Sequence, residues 1–206
     1  MFTIIEGPNG VGKTSIINYL NKKGYDTLSS PNGTPLAQLL RPVCRGTDPW
    51  QDVDKTVQFL TFSAARLDEY IRRIHNQDHI VVCDRWWMST YVYQCILQGL
   101  DPKFLEYTIH PEEKIDLVVI LTGEPEILIE RVEKERSLNP THGKCSWTKE
   151  HETMKKIGDI YQNELPKYLE EKNIEYVIID TTHLNIESVS VLVESHILIT
   201  EKQHKK

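Results

Sequence analysis

The sequence predicts an α/β fold, a doubly wound, mainly parallel five-stranded sheet with helices on both faces. Three observations carry this expectation. Short apolar runs recur along the whole chain, helical periodicities alternate with them, and the runs are continuous rather than polar on every second residue, as in strands covered on both sides.

Each element follows in order. "FTIIE" (2–6) reads as the first strand, running into the glycine-rich "GPNGVGKTS" (7–15). "KTSIINYLNKKG" (13–24) has Ile16, Ile17 and Leu20 at helical spacing and closes on Gly24. "YDTLSS" reads as a second strand, "PNGTP" as a turn, and "LAQLL" as a short helix stopping by Pro42. From Trp50 to about His75, Val53, Val57, Leu60, Ala64, Leu67 and Ile71 recur every three or four residues, which predicts one long helix. "HIVVCD" (79–84) reads as a central buried strand and "STYVYQCILQG" (89–99) as its following helix. "IDLVVILT" (115–122) repeats the strand pattern, "EPEILIERVEKER" follows as helix, and "IEYVIID" (174–180) is the last strand. The polar "SLNPTHGKCSW" (137–147) is expected to be a mobile surface loop, and "EKQHKK" (201–206) a frayed tail.

Bulk composition narrows the partners. At 206 residues, with no linker-like stretch, one domain over 1–206 is expected. Lys and Arg number 24 against 30 Asp and Glu, a net −6, so the global field does not draw nucleic acid and an anion must be met locally. Cys44, Cys83, Cys95 and Cys145 form neither a zinc knuckle nor a disulfide framework and read as reduced thiols. No run has signal-peptide or membrane-spanning length, so a cytoplasmic protein with no membrane partner is expected.

The chemistry begins at the loop. Gly7, Gly12, Lys13 and Thr14 satisfy G-x-x-x-x-G-K-[ST] directly after a strand and at a helix start. Glycines let backbone N–H groups curl around phosphate oxygens, and the helix N-terminus adds about half a positive charge. Lys13 is expected to reach the β- and γ-phosphates of a nucleoside triphosphate, and Thr14 to offer its hydroxyl to Mg²⁺. The loop leaves motor, GTPase and small-molecule kinase open. The GTPase reading lacks both a DxxG after a strand and an [NT]KxD.

Two further stretches favour a kinase of small acceptors. Asp84 and Arg85 leave the carboxyl end of a central strand, where open α/β sheets bind ligands. The aspartate can meet Mg²⁺ through water and the guanidinium can clamp a phosphate; the plainer reading is a solvated strand end. Phe62 and Arg66 stand four apart on one helix face, offering a flat ring and a planar fork; core packing and a surface ion pair are the plainer readings.

Together these residues resemble the thymidylate kinase family. "IIEGPNGVGKTS" is similar to its EGxDGxGK[ST] loop, "SSPNGTPLAQLLR" to REPGGTPxGxxIR, "LTFSAAR" to LLFxAxR, "DRWWMSTYVYQ" to DRYxxSxxAYQ, and "IDLVVILTGEPEILIERV" to PDLTxxLDVxPExxxxRI. The likeness covers nearly the whole chain. It implies a P-loop kinase that moves a phosphoryl group from ATP, with Mg²⁺, onto a deoxynucleoside monophosphate, most simply dTMP, with a 5-substituted deoxyuridylate or another deoxynucleotide as the alternatives. It places Gly7, Asn9, Gly10, Gly12, Lys13, Thr14 and Ser15 around ATP, with Arg131 beside it and Arg136 and Lys144 as cations of a lid at 137–147. It has Phe62 stack on the acceptor base, Arg66 meet the pyrimidine edge, Arg85 hold the acceptor phosphate, Thr90 lie near the base and Tyr93 under the deoxyribose. Lys13, Arg85 and Asp84 are the catalytic set, Thr14 and Asp84 the metal set. A homodimer packed through the third helix is also implied. Asn9 replaces the acid that the family's loop holds near the metal and the acceptor's 3′-hydroxyl, and so counts as an acceptor residue too; Ser29 and Ser30 stand where Arg-Glu is usual, and the bulky Trp86 or Trp87 is expected to wall the acceptor pocket. A deoxynucleoside kinase would need a carboxylate base after the second strand, where the chain reads Ser29-Ser30-Pro31.

Overall fold

The structure, a computed structural model, describes residues 1–47, 49–138 and 151–204. Five strands, β1 (Phe2–Glu6), β2 (Asp26–Ser29), β3 (Val81–Asp84), β4 (Leu117–Thr122) and β5 (Tyr176–Asp180), form an all-parallel sheet in the order β2-β3-β1-β4-β5. Each strand lies inside the run expected for it. Around the sheet are α1 (Lys13–Lys22), α2 (Pro35–Cys44), α3 (Lys55–Glu69), α4 (Trp87–Thr90), α5 (Lys103–Glu106), α6 (Pro125–Leu138), α7 (His151–Asp159), α8 (Leu165–Glu171) and α9 (Ile186–His204). Single π-helical turns extend α3 (Tyr70–Ile74), α4 (Tyr91–Leu97) and α7 (Ile160–Glu164).

Side-chain alternation along the strands divides the interior. Phe2, Ile4, Val81, Cys83, Val118 and Ile120 pack on one face with Phe59, Trp86 and Tyr161. Ile5, Val82, Leu117, Val119 and Leu121 pack on the other with Ile16, Leu20, Val193 and Ile197. Ile4, Ile5 and Ile120 expose no surface, and full burial of such a side chain contributes roughly 1.5–3 kcal/mol. Parallel register then sets the strand ends side by side, with Ile5 opposite both Asp84 and Val119, and Glu6 opposite Ile120.

Several expectations change. Helix α2 runs through Pro42 to Cys44, since a proline this close to the C-terminus removes one donor without ending the last turn; Thr34 Oγ1 caps the start from Ala37 N at 3.2 Å. The third helix starts at Lys55 rather than Trp50, capped by Asp54, which accepts from Thr56 N at 2.8 Å. Its apolar stripe faces outward: Val57 is 51% exposed, Leu60 54% and Ile71 52%. The face turned inward carries Phe59 and Ala65 together with Gln58, Ser63, Arg66 and Glu69. The tail is helical as far as His204, because Val193, Ile197 and Thr200 of α9 stay buried and His204 Nδ1 lies 3.2 Å from Asp116. Residues 137–138 close α6; the rest of the expected loop, with Lys144 and Cys145, lies outside the described residues. Cys44, Cys83 and Cys95 are buried free thiols. Among the described residues no helix is long and apolar enough to cross a membrane.

Candidate active site

The glycine loop joins β1 to α1 against β4 and α6. Gly7 has φ +144° and Gly10 +89°; a Cβ on the first would lie 2.3 Å from the Leu121 carbonyl oxygen, and on the second 2.6 Å from that of Leu128. Only glycine fits these positions. Lys13 bends back over the loop, and its ammonium donates to the carbonyls of Gly7 at 2.8 Å and Pro8 at 2.7 Å. Burial first, and the Arg85 charge next, push its pKa down to about 7. Thr14 and Ser15 are exposed at the N-terminus of α1, where the helix dipole favours anions. Arg131 donates to the carbonyls of Thr181 and Thr182, both at 3.0 Å, and so braces the turn after β5. That turn borders the loop, since Ile186 Cδ1 would touch a Cβ on Gly12.

Beside the loop lies a cavity of about 220 Å³ whose walls hold Asn9, Phe62, Arg66, Arg85, Thr90 and Tyr93, the six acceptor residues expected from sequence. Arg85 supplies the junction. It stands directly after β3 with φ +69°, a conformation that costs an L-residue of order 1–3 kcal/mol. Its amide still donates to Ile5 O at 3.0 Å, while the guanidinium donates to Asn9 Oδ1 at 2.8 Å and Ser89 Oγ at 3.1 Å. The Tyr93 ring centre lies 5.9 Å away. Asp84 Oδ1, next in the chain, is buried with no hydrogen-bond partner among the described residues.

Phe62 and Arg66 take neither of their plainer readings. Phe62 is half-buried in the cavity wall rather than in the core. Arg66 is only 3% exposed and donates to Thr108 Oγ1 at 3.1 Å and, more weakly, Thr90 Oγ1 at 3.4 Å. Burial lowers its pKa to about 10, with Glu113 and Glu69 opposing the shift. Trp86 does wall the cavity, and both indoles donate to Glu113 Oε1, Trp86 at 2.8 Å and Trp87 at 3.0 Å. Arg136 sits in the last turn of α6.

The sequence reading missed Glu6, Tyr161 and Glu69. Glu6 is wholly buried; it accepts from Trp86 N at 2.8 Å, Ser89 N at 3.1 Å, Ser89 Oγ at 2.9 Å and Tyr161 OH at 2.9 Å. Burial raises its pKa, and Arg85 and these donors pull it back. The signal was an acid closing a strand buried on both faces. Glu69 brings a carboxylate to the end of β2 from another element, accepting from Ser30 Oγ at 2.5 Å, Asn32 N at 2.8 Å and Gly33 N at 2.6 Å. Both its oxygens are thereby committed to the turn, which disfavours a role as base for a nucleoside.

Known proteins resemble the chain along most of its length. The thymidylate kinase family model matches residues 5–192. The thymidylate kinase of Caldicellulosiruptor saccharolyticus is 33% identical over 144 residues, 64% of this chain and 68% of its own. The probable thymidylate kinase of Methanococcus aeolicus is 30% identical over 195 residues, 91% of each chain. The crystal structure of thymidylate kinase from Ehrlichia chaffeensis shares the fold, with a TM-score of 0.64 and 20% identity over 96% of this chain and 98% of that one. By this match along most of its length, the chain belongs to the thymidylate kinase family.

Proposed function

We propose that the loop at 7–15 holds ATP, that the neighbouring cavity holds the acceptor, and that the family's reaction, ATP-dependent phosphorylation of dTMP to dTDP, runs between Lys13 and Arg85. One observation carries this: Asn9, inside the phosphate loop, bonds Arg85 of the cavity at 2.8 Å, and the Arg85 charge is felt at Lys13, so the loop and the cavity meet at one junction. A phosphate oxygen of the acceptor is already anionic at neutral pH. No strong general base is required, and catalysis is positioning plus charge stabilisation.

In this reading Phe62 stacks on the base, Arg66 reads its edge, Thr90 and Tyr93 border base and sugar, and Arg131 and Arg136 lie on the ATP side. Hard cations take oxygen ligands, and the Thr14 hydroxyl and the unpaired buried Asp84 oxygen fit that preference. Mg²⁺ bound there would offset phosphate charge. The exposed stripe of Val57, Leu60, Leu67 and Ile71 supports a homodimer through α3. Sedimentation should show a dimer that Leu60→Glu converts to monomer; an unchanged sedimentation coefficient would remove this face as the interface.

Coupled ADP release across dTMP, dUMP, dCMP, dGMP and thymidine tests the reaction. Acceptor-dependent turnover with dTMP is expected; activity on thymidine alone would mark a nucleoside kinase, and none with any acceptor an ATP-binding module.

A further inference from the structure

We propose that the acceptor cavity has a second anion-binding subsite, formed by Arg41 and Arg45, which takes a carboxylate or phosphate group that a deoxynucleotide carries in addition to its 5′-phosphate. The inference rests on the cavity being the acceptor site. Arg41, Arg45, Arg66 and Arg85 line it, and among the described residues no Asp or Glu does. Among the described residues, none of the four makes an ion pair. A monophosphate and a pyrimidine edge occupy Arg85 and Arg66. Arg41 and Arg45 remain.

These two stand one turn apart at the C-terminus of α2, close enough that the charge of Arg45 adds to burial in weakening the hold of Arg41 on its proton. Paired like charges in a cavity wall are unfavourable unless an anion joins them. Among the described residues, the Arg41 guanidinium donates to the Pro31 carbonyl alone, at 2.9 Å. Position 30, where the related motif carries glutamate, is Ser30, and its hydroxyl is committed to Glu69. The carboxylates of Glu69 and Asp84 lie within electrostatic reach of Arg41 and offset only part of the effect of burial and of Arg45.

Position along the helices says which end of a nucleotide this is. Asn9, Ser89 and Arg85 mark the phosphate end. Arg45 follows Cys44, whose carbonyl accepts from Gln58 Nε2 at 2.9 Å, and Gln58 lies one turn before Phe62, on the side away from Arg66. Arg45 thus lies past the stacking ring from Arg66, where an oxyanion carried by the nucleobase would meet it, while Arg41, close enough to feel the Asp84 charge, lies nearer the phosphate end. A polyphosphate chain offers the same chemistry from the other end of a nucleotide.

The test compares 5-carboxy-2′-deoxyuridine monophosphate, dTMP and dTTP on the wild-type protein, Arg45→Met and Arg45→Lys. Arg45→Met should weaken inhibition by the 5-carboxy nucleotide about tenfold, the loss expected for one charge-assisted contact, while the KM for dTMP stays within about twofold and Arg45→Lys keeps most of the affinity. A loss confined to dTTP would assign the subsite to a polyphosphate. Indifference of both probes to Arg45→Met, or an equal loss for dTMP, would overturn the second subsite. Failure of the wild-type protein to phosphorylate dTMP would instead count against the acceptor reading on which it rests.

Discussion

The two halves of the site are built by different means. The donor half is nearly all backbone from one contiguous stretch, Gly7 to Lys13, shaped by glycines that β4 and α6 leave no room to replace. The acceptor half is side chains from several separate elements, aligned by Glu6, Glu69 and Glu113, which touch its lining residues. A backbone cradle tolerates variation around it, whereas a wall of side chains changes character with each substitution. Of the departures from the family pattern, Ser30 and Trp86 stand in the cavity wall, and Asn9 reaches it from the loop through Arg85.

The contrast is broken most severely at Lys13. Lys13→Ala should lower kcat/KM for dTMP by about 10²- to 10³-fold, roughly 3–4 kcal/mol, as with removal of one group aimed at transition-state charge. Thermal melting should show no loss of stability, because the buried ammonium has only carbonyls as hydrogen-bond partners. Retained turnover would sink the donor assignment.

Glu6→Gln comes next, since it acts where the halves meet. One of the two oxygens facing Trp86 N, Ser89 and Tyr161 becomes a donor, which should cost about 1–3 kcal/mol of unfolding free energy in a denaturant titration. Turnover should fall along with it, because Ser89 and Tyr161 also flank Arg85. A stable variant with normal kcat would show that Arg85 holds its place without this network.

Phe62→Ala should separate the halves. The dTMP KM is expected to rise roughly tenfold, about 1–1.5 kcal/mol for a lost stacking partner, with the ATP KM within about twofold. Equal change in both constants would place the ring elsewhere.

The smallest effect is a pH dependence. Lys13 begins to lose its proton near pH 7 in the nucleotide-free protein, whereas bound phosphates favour the charged form. Above pH 7 ATP binding must therefore take up a proton, and affinity should fall as pH rises, by at most about tenfold per unit. Calorimetry at pH 8 in buffers of different ionisation enthalpy should register that uptake; its absence would mean the amine keeps its charge.

Much of this was legible in the chain. All five strands and the glycine loop were readable, and the six residues expected around an acceptor line one cavity, because each rests on neighbours in sequence or on a family motif. The third helix shows where reading failed. Its period was right, but the sequence did not say which face turns inward: the apolar stripe Val57, Leu60, Leu67 and Ile71 points outward, and the polar face bearing Ser63, Arg66 and Glu69 points in. Periodicity shows that a helix has two faces but not which one the protein covers, and a site can bury the polar one when its groups find partners.

What the sequence by itself determined is the local part: strand and helix alternation, the glycines of the loop, and the lysine they surround. Tertiary structure alone decided the rest. It set Tyr161 against Glu6 across 155 residues, brought Glu69 to the end of β2, and gathered four arginines around one cavity with no ion pair among the described residues. The physical reason is range: backbone conformation is set largely within a few residues, whereas the burial and electrostatics that give a side chain its chemistry depend on whatever the fold packs beside it.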